Sequence, residues 1–305
     1  MTVDLLEIEV LVDSEGTGFE CVQIAPLSGE RCAILFVVSD PDYVETYSII
    51  FELENFAPET AKDILLDDKW LMSLTGRKVT ELAALEATTH VMDWHQNNWN
   101  EAKISKTDLQ RLWQAQDGRC FAIGSDGHSL VRDAGTWSAI KPGSVHQLHD
   151  IGGNASGDIY CCGSEGTVQR LNDNSWEVID LHRTDLFRGI HVAADGTIRL
   201  AAGGGTCLEV RNLDEIIALN APETTFFSVA EFKGSVYWGD EAGVYIQSGL
   251  DILPLYDTGF AFDLRCNDDY MYCVGTDRAW RFDGEAWLSL RLIFEDDVGF
   301  ELVLE

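Results

Sequence analysis

Five short apolar runs, each stopped by a glycine, recur along this chain: CFAIG at 120–124, YCCG at 160–163, RLAAG at 199–203, VYWG at 236–239 and YCVG at 272–275. The anchor glycines Gly124, Gly163, Gly203, Gly239 and Gly275 are 39, 40, 36 and 36 residues apart. A period of that length marks a stack of equal supersecondary units, because one such unit cannot bury its apolar face alone. After each anchor comes a small or acidic turn (SDG, SEG, GGT, DEAG, TD) and then a further β-rich run. Trp137, Trp176 and Trp287 follow their anchors by about a dozen residues. Trp99 and Glu86 stand one period upstream of Trp137 and Gly124, which makes the segment around them a degenerate first copy and the count six.

Each unit also has a run before its anchor run, separated from it by turn residues at Gly76, Gly118, Gly157, Gly196, Gly234 and Asp268-Asp269. Tight turns of Gly, Asp or Asn between apolar runs are the hairpin signal. A unit therefore holds four short strands, for example LQRLWQA, RCFAIG, HSLVRD and TWSAI. Four antiparallel strands per period of about 40 residues are expected of an all-β β-propeller. The recurring glycines are expected where the second strand turns sharply and needs φ > 0, and the tryptophans where blades pack together. Cys120, Cys161, Cys162 and Cys273 fall just before an anchor, the place of small structural thiols on a crowded strand. The pattern resembles WD-repeat and kelch propellers over 69–290, although the Gly-His and Trp-Asp pairs and the Gly-Gly doublets of those families are absent. No functional residue carries over from them.

The organisation expected is thus an acidic β-rich segment at 1–68, a six-repeat propeller at 69–290 and a C-terminal strand at 291–305. The first segment has four strand-like runs (LLEIEVLV, FECVQIA, CAILFVV, YSIIFELE). It then has APETAKDILL, whose Pro58 and acidic first turn read as one short helix. If the N-terminal strands form one more blade, the propeller has seven. The final FELVLE either closes the ring against an N-terminal strand or completes a small separate sheet.

The 46% apolar content of the 305 residues supports a packed core, and the net charge of −31 repels a phosphate backbone, so direct nucleic-acid binding is not expected. Any macromolecular partner is therefore expected to be basic. Residues 1–68 carry 16 acidic and 2 basic side chains, 69–290 carry 31 and 18, and 291–305 carry 5 and 1. The start lacks a basic region followed by an apolar core, and no window approaches the ~18 apolar residues of a membrane span. The eight cysteines show no disulfide framework, so a reduced, cytoplasmic location is expected.

Acidic residues sit at nearly one point in five of the six units, in the link between second and third strands: Glu86, Asp126, Glu165, Asp240 with Glu241, and Asp277. Asp and Gly are good turn formers. The same carboxylates also suit a rim facing a basic partner, with Trp238 and Tyr245 as aromatic contacts nearby. No metal is expected, because calcium loops gather their ligands within a dozen residues and these lie one per unit. His146 and His149 form HxxH without the HExxH of zinc proteases, AAGGGT lacks the dinucleotide spacing, and no cofactor is implied.

No catalytic set assembles from the sequence, so a non-enzymatic binding protein is the leading expectation. In its sharpest form it is an inhibitor of a basic toxin such as a nuclease. Acidic single-chain propellers with eroded repeats resemble immunity proteins of contact-dependent and type VI secretion systems, a likeness of type without a motif. The alternatives are a hydrolase or lyase using the central channel, with Arg111, His146, His191 and Asp263 as candidates, or a scaffold subunit.

Overall fold

A computed structural model describes residues 5–12, 14, 16–87, 89–95, 97–212, 215–295 and 298–305. Seven antiparallel sheets follow one another along the chain, each a four-stranded meander, and the last carries a fifth strand. The third sheet is made of Leu109–Gln114, Cys120–Gly124, Ser129–Asp133 and Thr136–Ala139, which are the four strands expected of that unit. The fourth runs from Leu148–Gly153 to Ser175–Val178, the fifth from Phe187–Val192 to Glu215–Ala218, and the sixth from Phe226–Phe232 to Asp251–Tyr256.

The count is seven, because the N-terminal residues build a sheet of their own from Gly18–Pro26, Arg31–Ser39, Thr46–Glu54 and Lys62–Asp67. Two local expectations differ there. LLEIEVLV is the helix Leu5–Val12 and not a strand. Its apolar residues fit either period, and the helical one places Ile8 and Leu11 together in the core while Val10 faces solvent. APETAKDILL is not a helix. Pro58–Thr60 is one 3-10 turn, closed by Thr60 Oγ1 donating to the carbonyls of Glu54 and Ala57. Lys62–Asp67 then pairs as an outer strand with Thr46–Glu54, where Ile50 opposes Leu65. The C-terminal strand Gly299–Leu304 pairs with Trp287–Glu295 of the last sheet, not with an N-terminal strand.

The chain divides into two compact units. The first holds residues 1–87, 91–102 and 265–305. In it the two chain ends share one core, in which Ile8, Phe36, Phe56, Tyr272, Leu290 and Leu302 are all buried. Polar seams accompany the packing: the amide of Cys21 donates to Thr276 O at 2.9 Å, and Gln23 Oε1 accepts from Ser73 Oγ and the amide of Leu74.

The second unit holds residues 88–90 and 103–264, including the third to sixth sheets. Its neighbouring sheets bury Phe121, Ile151, Ile159 and Trp176 in one cluster and Phe187, Ile190, Leu200 and Leu208 in another. Trp176 is 3% exposed and lies between sheets as expected, whereas Trp137 and Trp287 are only half-buried. Every cysteine is a free thiol, and all but Cys266 are buried.

The anchor glycines lie within one residue of the end of the second strand of their sheets, but the expected reason for them is wrong. Gly124 has φ −175, ordinary extended backbone, and the other four anchors are not left-handed either. What Gly124, Gly163 and Gly239 need is space: a Cβ on Gly124 would overlap the carbonyl oxygen of Asp108, one on Gly163 that of Gln147 and one on Gly239 that of Ala261, while one on Gly203 would meet only Thr225 Oγ1 at an ordinary 3.7 Å. Left-handed glycines do stand in the first hairpins, such as Gly118 at φ 91 and Gly157 at φ 90, where a Cβ would meet nothing.

Candidate partner-binding face

The links between second and third strands in the second unit are built tightly, and their geometry decides which carboxylates are available. In the third and fourth sheets the chain turns through a left-handed acidic residue followed by a left-handed glycine. Asp126 has φ 56 and Glu165 has φ 53, and Gly127 and Gly166 both have φ 67. A Cβ on either glycine would overlap a backbone carbonyl of the following connection, that of Ser144 or of Arg183. The turn is therefore pressed against the next link, which leaves Asp126 and Glu165 pointing outward and exposed.

The sixth sheet makes the same link differently. Asp240 is fully buried, and its Oδ1 accepts from the amides of Ala242 at 2.7 Å and Gly243 at 2.9 Å. It is a turn-forming residue and is inaccessible to a partner. Glu241 beside it is exposed and accepts from Thr224 Oγ1 at 2.9 Å.

The two aromatic candidates do not face solvent as expected. Trp238 is 0% exposed, with its indole N–H directed to Gln247 Oε1. Tyr245 is half-buried and lies edge-on to Phe226, and burial, then the charge of Asp240, pushes its phenol up to about 12. In the first unit, Glu86 ends its second strand half-buried, and Asp277 pairs with Arg278 at 3.3 Å. Of the eight candidates, Asp126, Glu165 and Glu241 are thus exposed at corresponding links of one unit.

A second cluster brings together two of the four residues considered for channel chemistry. Arg111 starts from the first strand of the third sheet, and its Nη2 donates to Asp263 Oδ1 at 2.6 Å. Its Nε lies 3.2 Å from Asp150 Oδ1, and Asp150 Oδ2 accepts from the amide of Ile190 at 3.0 Å. Asp150 was missed in the sequence. Burial pushes its carboxyl up to about 6, with Arg111 pulling against that and Asp263 adding to it. One cation thus lies between two buried carboxylates, a closed ion triad. His146 lies apart from it, exposed in a loop, and His191 stands near Glu231 at 3.7 Å. His149 meets Ser164 Oγ at 3.1 Å, so the HxxH pair does not converge.

These sheets and their order decide the architecture, and solved structures share it. The WD40 β-propeller domain of Doa1 superposes with a TM-score of 0.69 at 12% identity, covering 89% of this chain and 95% of that one. The fold is a seven-bladed β-propeller. YCF48 bound to D1 peptide matches at TM-score 0.67 and 14% identity over 85% of this propeller and 91% of that chain. Chaetomium thermophilum Sqt1 bound to the N-terminus of the ribosomal protein L10 matches at 0.65 and 13%, over 96% and 100%. At such identities the likeness concerns fold alone. No family model matches the chain. Among curated proteins, the propeller is similar to the immune protein Tsi7 of Pseudomonas aeruginosa, with 27% identity over 189 residues, 57% of this chain. The match spans 61% of that protein's own length. Among the described residues, no helix is long and apolar enough to cross a membrane.

Proposed function

We propose that this propeller is a non-enzymatic immunity protein that neutralises a toxin by binding it. The observation that carries the reading is the 27% identity to an immune protein over 189 residues, about twice the 12% and 14% identities to the Doa1 and YCF48 propellers. Charge sets the partner's chemistry: at −31 the chain attracts a basic protein, and a nuclease, whose cleft must be cationic to hold a phosphate backbone, is the natural target. Blocking that cleft with carboxylates would both speed encounter and exclude nucleic acid. Asp126, Glu165 and Glu241 are the exposed carboxylates of the second unit that fit this task, and the cytoplasm is where such a toxin would be met. The bound peptides named for YCF48 and Sqt1 support the same class of use, a propeller holding a polypeptide.

The test is co-expression. The product of the gene adjacent to this one is induced in a host with and without this chain. Growth arrest that this chain alone relieves, together with a stable complex of the two purified proteins, supports the reading. A neighbour that is harmless, or whose toxicity this chain leaves unchanged, counts against it.

A further inference from the structure

Six of the seventeen large apolar side chains exposed among the described residues fall between 250 and 262: Leu250, Leu253, Leu255, Tyr256, Phe260 and Phe262. The last two lie in the connection that leaves the sixth sheet, where no strand partner covers them. Phe260 and Phe262 are stacked at 4.9 Å with 11° between their planes and are 38% and 40% exposed. Phe227, at the start of the sixth sheet, packs under Phe262 at 5.2 Å and Phe260 at 6.4 Å. The three rings form a shelf inside the second unit. A contiguous exposed apolar surface on a chain of net charge −31 points to an interaction site.

The surroundings of the shelf state what it accepts. Glu241 follows Asp240, whose carbonyl oxygen accepts from the amide of Ala261 between the two stacked rings. Asp257 lies three residues before Phe260 and holds the amide of Gly259 at 3.0 Å, and Glu223 precedes the Thr224 that contacts Glu241. All three carboxylate residues are exposed. A phenyl face attracts a cation, and this shelf already does so once: the guanidinium of Arg188 lies over Phe227 at 5.6 Å. A second copy of this chain is a poor occupant, because two bodies of charge −31 repel.

We infer that the Phe227–Phe260–Phe262 shelf is the anchor of the partner interface and takes an arginine- or lysine-bearing loop of a basic protein, its cation over the Phe260–Phe262 rings and paired with Glu241 or Asp257. This rests on the toxin-binding reading above and names its site. Aromatic anchors ringed by polar groups carry most of the energy of such interfaces.

The probe is the purified product of the adjacent gene, titrated against the full chain and against F260A/F262A, with V178A, an exposed apolar residue elsewhere, as control. Both rings lie outside the sheets and mainly contact each other and Phe227, so the double variant is expected to fold, which a melt beside the wild type checks. Should it not fold, F262A is measured instead. The inference expects roughly 30-fold or more loss of affinity for the ring variant and none for V178A. Equal binding by wild type and ring variant overturns the shelf while leaving the toxin-binding reading intact. No binding by the wild type overturns both. Self-association of the wild type that the ring variant abolishes also overturns the inference, since the occupant is then a second copy.

Discussion

Trp176, on the outer strand of the fourth sheet, donates its indole N–H to Ser129 Oγ of the third sheet at 2.7 Å. Both groups are buried, so the bond satisfies two polar atoms that would otherwise be stranded between blades. Truncation of Trp176 to alanine is expected to cost roughly 3–5 kcal/mol, the range for a large buried aromatic. W137A should cost clearly less, because Trp137 is half-buried and its neighbour there is the guanidinium of Arg132 at 5.4 Å. Urea unfolding of the two variants compares them, and equal losses would show that the Trp176 bond does not tie the blades.

The anchor glycines separate close approach from backbone freedom. G163A should destabilise by about 1–3 kcal/mol or more, because its Cβ would overlap the Gln147 carbonyl, a rigid backbone group. Replacing Gly163 with D-alanine would not help, since its φ is not left-handed. At Gly157 the order is reversed: open space surrounds it but φ is 90, so L-alanine strains the turn while D-alanine should be tolerated. Thermal melts of semisynthetic proteins would read the two patterns.

The Arg111 triad gives stability a particular pH dependence. The carboxyl of Asp150 is raised in the fold to about 6, above the ~3.9 of an unfolded aspartate. The folded state therefore holds this proton more tightly. The resulting stability is fully present below about pH 4 and is lost as pH rises through about 6, by an amount on the order of 3 kcal/mol. Many other carboxylates titrate in this chain, so the contribution is isolated by difference: the stability of wild type minus that of D150N should fall between pH 4 and 7. A flat difference would mean that Asp150 titrates normally. Arg111→Met leaves two buried carboxylates facing each other and should cost about 3–5 kcal/mol near neutral pH.

The propeller was legible because a steric requirement repeats. Wherever a second strand runs against a neighbouring carbonyl, as at Gly124 and Gly163, only glycine fits, and so the period is written into the sequence. The first blade was less legible for the same reason: its second strand Arg31–Ser39 is nine residues long and ends without such a glycine. Leu5–Val12 read as a strand because eight residues are too few to separate a period of 2 from one of 3.6. The triad was hidden by distance, since Arg111 and Asp263 are 152 residues apart and no local pattern announces their meeting. Asp240 shares its link with the exposed Asp126 and Glu165, yet burial there depends on how each turn closes, whereas Trp238 stands just before its anchor, where Ile123, Cys162 and Ala202 are buried too. A signal for the aromatic shelf was present in TGFAFD, where two phenylalanines stand in a link between blades and not in a strand.

Charge reversal tests how the acidic face works. D126K, E165K and E241K together should slow association with the proposed basic partner while changing dissociation less, because long-range attraction acts on encounter and is screened over about 8–10 Å at physiological salt. Asp240 is left out of this set, since a lysine in its buried place would break the turn it closes with Ala242 and Gly243. For the wild type, the association rate should drop steeply from low to physiological salt, and in the triple variant that slope should flatten. Stopped-flow measurements at several salt concentrations read both quantities. If the triple variant keeps the wild-type slope while reversals of Asp42 and Glu45, exposed in the first blade, remove it, then steering comes from the N-terminal blade and the links of the second unit are only turns. If neither set alters the slope and salt leaves the rate constant, the interface is apolar, and the carboxylates serve to keep copies of this chain apart.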